Sequence, residues 1–424
     1  MTGDNRRAPL WPHIAVAAAI FAYWWFLFRS MQGFTDFMDY GGKLFGDFFY
    51  VFKDVGNTVF TTKEPPWGYF YSSFFAVFLG VLCKLPGDSE YYVWGLLEAL
   101  VTLTLWLVPL WFIRRSRNPR FAALRECSVL YTALYLLSIP ILHCFRWGQM
   151  GVLLLILMLA ASVLREKGKP NAAGAVLALA ISIKFYPAVL LLWFALRRDL
   201  RAIAVAIGVA GFLLVIVPSL TLGVRTNIAY VRHTQEAAYH MRPKVEADMN
   251  SQYFPSVIRR MVGKQPGEFR TPKHLLMLAG LILYVMNALI LWRLKDYAGI
   301  APAVLAVLFL QAGFSFALLT SWPHYFVHLP LLQFILIAMA WRNTAMRWRG
   351  VILGLAIASA LASTLPFRHA LMLFTHEATT EDYVYPYSYS GILFWANLLC
   401  LIAAWVAFNR EADLQIGGST KTAT

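Results

Sequence analysis

The sequence predicts an all-α integral membrane protein, and three observations carry that prediction. Of its 424 residues, 59% are hydrophobic, 16% aromatic and only 14% charged, a balance far from that of a soluble domain. Charge-poor runs of about 20 residues, the length that spans a bilayer, recur along the chain. The 37 Lys and Arg, which leave a net charge of +15, fall in short clusters between those runs. Clusters so placed orient helices across an inner membrane, and nucleic acid is not the partner they imply. Cys83, Cys127, Cys144 and Cys400 form no CxxC pair, so neither a zinc site nor a disulfide scaffold is expected.

The elements follow in order. Arg6 and Arg7 precede an apolar run at 10–28 with no small-residue cleavage site, which predicts a retained first helix. Further runs lie at 65–83, 91–113, 127–145, 147–164, 170–183, 185–196, 202–224, 274–292, 297–341, 350–367 and 391–409. The positive-inside rule places the basic clusters in the cytoplasm: Arg114 with Arg115, Arg117, Arg120 and Arg125; Arg165 with Lys167 and Lys169; Arg197 with Arg198 and Arg201; Arg293 with Lys295; and Arg342 with Arg347 and Arg349. That demand is met if 65–83, opening on Pro65 and Pro66 and rich in aromatics, lies along the outer interface instead of crossing. It also makes 170–183 and 185–196 a broken pair hinged at Lys184 and Pro187, a device that lines cavities. The 297–341 run is cut at Trp322, Pro323 and His324. The result is one polytopic domain over 1–409 with about 12 crossings, outer loops at 29–90, 225–273 and 367–390, and a short cytoplasmic tail at 410–424.

This threading sends the polar residues of 29–90, 146–149, 184, 225–273, 322–325 and 367–390 to one extracytoplasmic face. Asp47, in KLFGDFFYVFKD, is a carboxylate among aromatics, where desolvation raises the pKa and makes a better base; Asp36, Asp39 and Asp54 compete for the same role. Arg146 and Gln149 stand at a turn between helices, where they could hold phosphate oxygens and sugar hydroxyls or simply cap a helix. Lys184 costs about 2.5–3.5 kcal/mol at a helix centre and so is expected to face a cavity or an anion. His324 could donate to a phosphate, shuttle a proton or anchor the interface. Asn250, Ser251 and Gln252 form a polar cluster suited to sugar hydroxyls or to a helix cap, and EDYVYPYSYSG reads as an interface belt. The bases of the long outer loops, among them Arg225, Arg232, Arg242, Lys244, Arg259, Arg260 and Lys264, fit anionic lipid phosphates. DFMD at 36–39 makes no metal site, and no Walker loop or GxGxxG is present, so neither ATP nor a nucleotide-sugar is the expected donor.

In this order the residues resemble the polyprenol-phosphate-sugar-dependent glycosyltransferases of the GT-C fold, and most closely glycosyltransferase family 87. The resemblance covers about residues 10–345. It rests on Asp47 with Tyr50; on Tyr69, Phe70 and Tyr71, with Ser72 and Ser73 in place of two prolines; and on Gly148 with Gln149. It continues with Ala173 and Gly174 leading to Ile183, Lys184 and Pro187, with Asn250, Ser251 and Gln252, and with Ser321, Trp322 and His324, where Tyr325 replaces a second histidine. The resemblance implies an inverting transferase that moves a sugar, mannose above all, from a polyprenyl-phosphate donor to a lipid or glycan acceptor at the outer face of the inner (plasma) membrane. It makes Asp47 the general base, assigns the donor phosphate to Lys184, His324 and Arg146, and assigns sugar and acceptor to Gln149, Asn250, Tyr50, Tyr71 and Trp322. It implies membrane lipids as partners and neither metal nor cofactor. Two rival readings stand beside it: a related enzyme transferring a pentose or modifying another acceptor, and a sugar or lipid transporter, which also places polar residues in broken helices.

Overall fold

A computed structural model describes residues 9–30, 44–62, 69–116, 118, 121–248, 250–262, 273–297, 299–344, 346–375 and 386–415. The expectations for Arg6, Arg7, Asp36, Asp39, Pro65, Pro66, Arg117, Arg120 and Lys264 lie outside the described residues. Within them every regular element is helical, and an antiparallel bridge joins Ser138 to Thr364.

Among the described residues, five helices are long and apolar enough to cross a bilayer: Ser89–Arg115, Leu200–Leu222, His274–Leu294, Ile300–Ala317 and Pro323–Arg342. The pair Ile139–Trp147 and Gly151–Glu166, bent by 113°, makes up to six. The chain is thus an all-α, multi-pass membrane protein. Burial sorts these helices: the first three are only 22%, 17% and 22% buried and turn apolar side chains outward, whereas the last two are 78% and 83% buried and form the centre. Shorter apolar helices include Ser73–Leu82, Pro170–Ile183, Arg349–Ala362 and Ile392–Phe408. At 1.5 Å per residue a 14-residue helix reaches about 21 Å, short of a hydrocarbon core of roughly 30 Å.

Several boundaries match the sequence and several do not. Helix Pro170–Ile183 stops at Lys184, whose backbone is extended (φ −146°, ψ 140°), and the chain resumes as a 3-10 turn Tyr186–Val189 and a helix Leu190–Leu196. The long run at 297–341 is cut by the turn Pro323–Phe326, as expected from its proline. The run at 127–145 is not one helix: it breaks between Ser128–Leu136 and Ile139–Trp147, because Ser138 caps the second helix and Pro140 sits in its first turn. The segment expected to form an outer loop at 225–273 carries two helices, Val224–Ala247 and Phe254–Met261; Ala, Gln, Glu and Arg there favour helix without being apolar. Likewise Leu365–Thr375 enters the loop 367–390, and Ile392–Gln415 carries helix six residues into the tail assigned to 410–424.

The basic clusters meet one another. Glu166 pairs with Arg165 and with Arg197 (3.5 Å) and accepts from the backbone N–H of Gly299 (2.9 Å). Arg165 reaches Asp199 (3.3 Å), and Arg197 donates to the Tyr297 carbonyl (2.9 Å). The clusters at 165–169, 197–201 and 293–295 therefore share one end of the bundle. From that end helix Gly151–Glu166 runs about 24 Å to Gly151, which lies so close to the His324 carbonyl that a Cβ would not fit. Helix Pro170–Ile183 likewise starts beside Lys169 and ends at Lys184. The polar residues singled out in the sequence gather at this opposite end.

Candidate active site

The site begins with a backbone turn. Phe45 adopts a left-handed conformation (φ 61°), which costs an L-residue roughly 1–2 kcal/mol. Its N–H donates to the Arg146 carbonyl (2.7 Å), and its ring packs on Phe145 (5.4 Å) and Tyr91 (5.6 Å). The surroundings thus hold the strained residue, as they do at many functional sites. Gly46 follows against the Trp147 ring, where a Cβ would come within 2.8 Å. Two aromatic locks then fix the short helical stretch that carries Asp47: Phe48 stacks on Trp94 (4.8 Å, 22°) and Phe52 meets Tyr71 edge-on (5.0 Å, 89°).

Asp47 keeps some accessible surface but is crowded by protein, and this desolvation pushes its pKa up to about 7 against the opposing pull of the Lys184 cation. Such a carboxyl is half ionised near neutrality, where a general base is most effective. Of its competitors, Asp54 is exposed, and Lys53 beside it is engaged by Glu90 (2.7 Å) and Asp88 (3.4 Å).

Lys184 sits between two aromatic faces, its Nζ 4.4 Å from the Tyr71 ring centre and 4.7 Å from that of Tyr325. Tyr71 is placed there by its neighbour Ser72, which caps the helix Ser73–Leu82 and bonds the Ser182 carbonyl at the end of helix Pro170–Ile183. The buried Tyr71 hydroxyl donates to Gln149 Oε1 (2.6 Å), and burial first, then nearby ionisable groups including Asp47, hold it well above the usual phenol range. Gln149 follows Gly148 (φ 65°), a position where a Cβ would meet Trp94 Nε1 at 2.7 Å and only glycine fits.

His324 lies in the turn after Trp322 and Pro323, only 4% exposed. Its ring touches Tyr325 (4.9 Å), Trp322 (6.0 Å) and His143 (5.7 Å, 27°), and Lys184 is near enough to interact with it electrostatically. Both ring nitrogens are buried with no hydrogen-bond partner among the described residues.

Asp47, Tyr71, Gln149, Lys184 and His324 therefore form one cluster. Arg146 stands at its rim, its guanidinium over Trp147 (5.7 Å). Trp322 borders it through His324 and Phe70 (6.5 Å). Tyr50, 49% exposed and edge-on to Phe49, is not enclosed with Asp47. Asn250 bonds locally: its N–H donates to Asp248 Oδ1 (2.8 Å) and its carbonyl accepts from Gln252 Nε2 (3.3 Å). Its segment reaches the cluster through Asp248, whose Oδ2 accepts from Trp322 Nε1 (3.1 Å), and through the Gln252 N–H, which donates to the Ser321 carbonyl (2.7 Å).

Sequence reasoning passed over Asp248, His143 and Glu98. Glu98, on helix Ser89–Arg115, is buried with Oε1 unpartnered, and a single carboxylate in an apolar run was the signal for it. His143 stands three residues before Arg146, on the same face of one helix.

Comparison with known proteins supplies the lineage. The family model for glycosyltransferase family 87 matches residues 69–322, a span that holds Tyr71, Gln149, Lys184, Asn250 and Trp322 but begins after Asp47 and stops just short of His324. The chain is 43% identical over 81 residues to a polyprenol-phosphate-mannose-dependent alpha-(1-2)-phosphatidylinositol mannoside mannosyltransferase of Mycolicibacterium smegmatis, covering 18% of each protein. It is 27% identical over 205 residues to a protein of the same name from Mycobacterium tuberculosis, covering 48% of this chain and 45% of that one. The chain thus spans less than half the length of these curated relatives. No solved structure matches. Since the family model takes in more than half of its residues, the chain belongs to glycosyltransferase family 87.

Proposed function

We propose that this protein transfers a sugar from a polyprenyl-phosphate donor to a hydroxyl of a membrane lipid acceptor, with inversion at the anomeric carbon. The names of its relatives favour mannose as the sugar and a phosphatidylinositol mannoside as the acceptor. The observation that carries the reading is a carboxyl with a pKa near 7 sharing one cluster with a lysine and an unpartnered buried histidine. In the reaction, Asp47 takes the proton of the acceptor hydroxyl as that oxygen bonds to the anomeric carbon. The bond from that carbon to the phosphate oxygen breaks, and polyprenyl phosphate departs with the electron pair. Lys184, His324 and Arg146 stabilise the charge that grows on the leaving phosphate. Gln149, Tyr71 and Trp322 orient sugar and acceptor hydroxyls, with Tyr50 and Asn250 at the approach. Activation comes with the lipid-linked sugar, so the transfer needs no nucleotide.

The extracytoplasmic face, the GT-C fold and a count of about 12 crossings belong to the same proposal. They are supported by the gathering of basic clusters at one end of the bundle and of the polar site at the other. The test is direct. Purified protein in lipid nanodiscs with polyprenyl-phosphate mannose and a phosphatidylinositol mannoside should release polyprenyl phosphate and extend the acceptor, and Asp47→Asn should do neither. Turnover with a pentose donor alone would correct the sugar, and lipid translocation without turnover would overturn the proposal.

A further inference from the structure

His143 and His324 come from helices far apart in sequence, yet their rings stack at 5.7 Å and 27°. Three of their four nitrogens, Nδ1 of His143 and both of His324, are buried without a hydrogen-bond partner among the described residues. Native proteins pair the large majority of buried polar atoms, so three orphans on two touching rings mark a place where a ligand completes the bonding. The surrounding charge states what kind. Lys184 acts electrostatically on His324, while Arg146 and Arg368 act on His143. Three cations act on this pair, and cations gathered around buried imidazole nitrogens call for an anion with several acceptor oxygens.

From this geometry, and resting on the transferase reading above, we infer that His143 is a second phosphate-binding residue. It donates, beside His324, to phosphate oxygens at the edge of the stacked pair. With the ring centres 5.7 Å apart and the planes at 27°, no anion fits between their faces, so it lies along their nitrogen-bearing edges. The oxygens of a phosphate are spread over a tetrahedron, so two imidazole N–H groups and a guanidinium can each meet an oxygen of their own. Two sources share this chemistry: the phosphate of the prenyl donor and the phosphodiester of an inositol lipid.

The experiment measures binding, not turnover. Wild type, His143→Phe and His143→Gln are titrated in nanodiscs with a short-chain prenyl phosphate and, separately, with a short-chain phosphatidylinositol. His143→Phe keeps an aromatic ring but no donor and should weaken one probe about tenfold or more; His143→Gln keeps an N–H donor, melts near wild type and should recover part of that loss. The weakened probe names the source: prenyl phosphate for the donor, phosphatidylinositol for the acceptor. If wild type binds a probe and both variants bind it equally well, the inference falls while the transferase reading stands. If wild type binds neither, both fall.

Discussion

In the proposed mechanism Asp47 can serve as a base because burial and a neighbouring cation oppose each other on one carboxyl. Since ionisation activates it, kcat/KM should rise with pH through an acid limb near 7 and then level. Lys184→Ala removes the downward pull, so the limb should move to higher pH while kcat falls about 10²-fold, as when one charge-stabilising donor is lost. An unmoved limb would separate Lys184 from Asp47. The same shift bears on stability. With a folded pKa above the unfolded one, the native state binds more protons between about pH 4 and 7, so wild type loses stability as pH rises through that window. Asp47→Asn, uncharged throughout, should gain in Tm relative to wild type from pH 5 to pH 8; thermal scans at both values check it. At this scale much was legible, because Asp47 and Lys184 are polar groups in apolar surroundings that demand explanation. His143 was not legible, since its meaning depends on His324, brought to it by packing between distant helices. Nor can spacing alone show that Tyr50 is exposed while Tyr71, in an equally aromatic stretch, is buried.

The element that sets the site's geometry is the turn from Ile139–Trp147 into Gly151–Glu166, with Gly148 at its corner. Gly148→Ala combines a left-handed backbone with a clash against Trp94, so it should cost about 1–2 kcal/mol and reduce turnover by displacing Gln149. Gly208→Ala, in helix Leu200–Gly211 with open space around its Cα, is the control: turnover should be unchanged and stability equal or raised by up to about 1 kcal/mol. Paired melting curves and rates distinguish the two. The break at Lys184 could be read from the sequence because Lys184 and Pro187 interrupt an apolar run. The break at Ser138 was hidden, since serine and proline also occur within uninterrupted membrane helices. Helix Val224–Ala247 was hidden for the opposite reason: a polar helix carries no spanning signal.

For the whole molecule, charge told more than hydropathy. The positive-inside rule grouped Arg165, Arg197 and Lys295 on one side, and in the fold Arg197 reaches Glu166 and donates to the Lys295 carbonyl. The number of crossings was less legible, because several apolar helices beside the central ones are broken or short and hydropathy alone cannot decide which of them pass through. If the polar end faces outward, a cysteine introduced at exposed Tyr50 in a cysteine-free background should react with a membrane-impermeant maleimide added to intact cells, whereas one at exposed Arg201 should not. In the proposed mechanism, donor phosphate and carboxyl base meet in one place. A density map of the protein with a non-transferable prenyl-phosphate sugar tests it most directly. Phosphate oxygens should lie within hydrogen-bond reach of Lys184 and His324, with the anomeric carbon facing Asp47. A phosphate bound elsewhere, with Asp47 remote from the sugar, would contradict it.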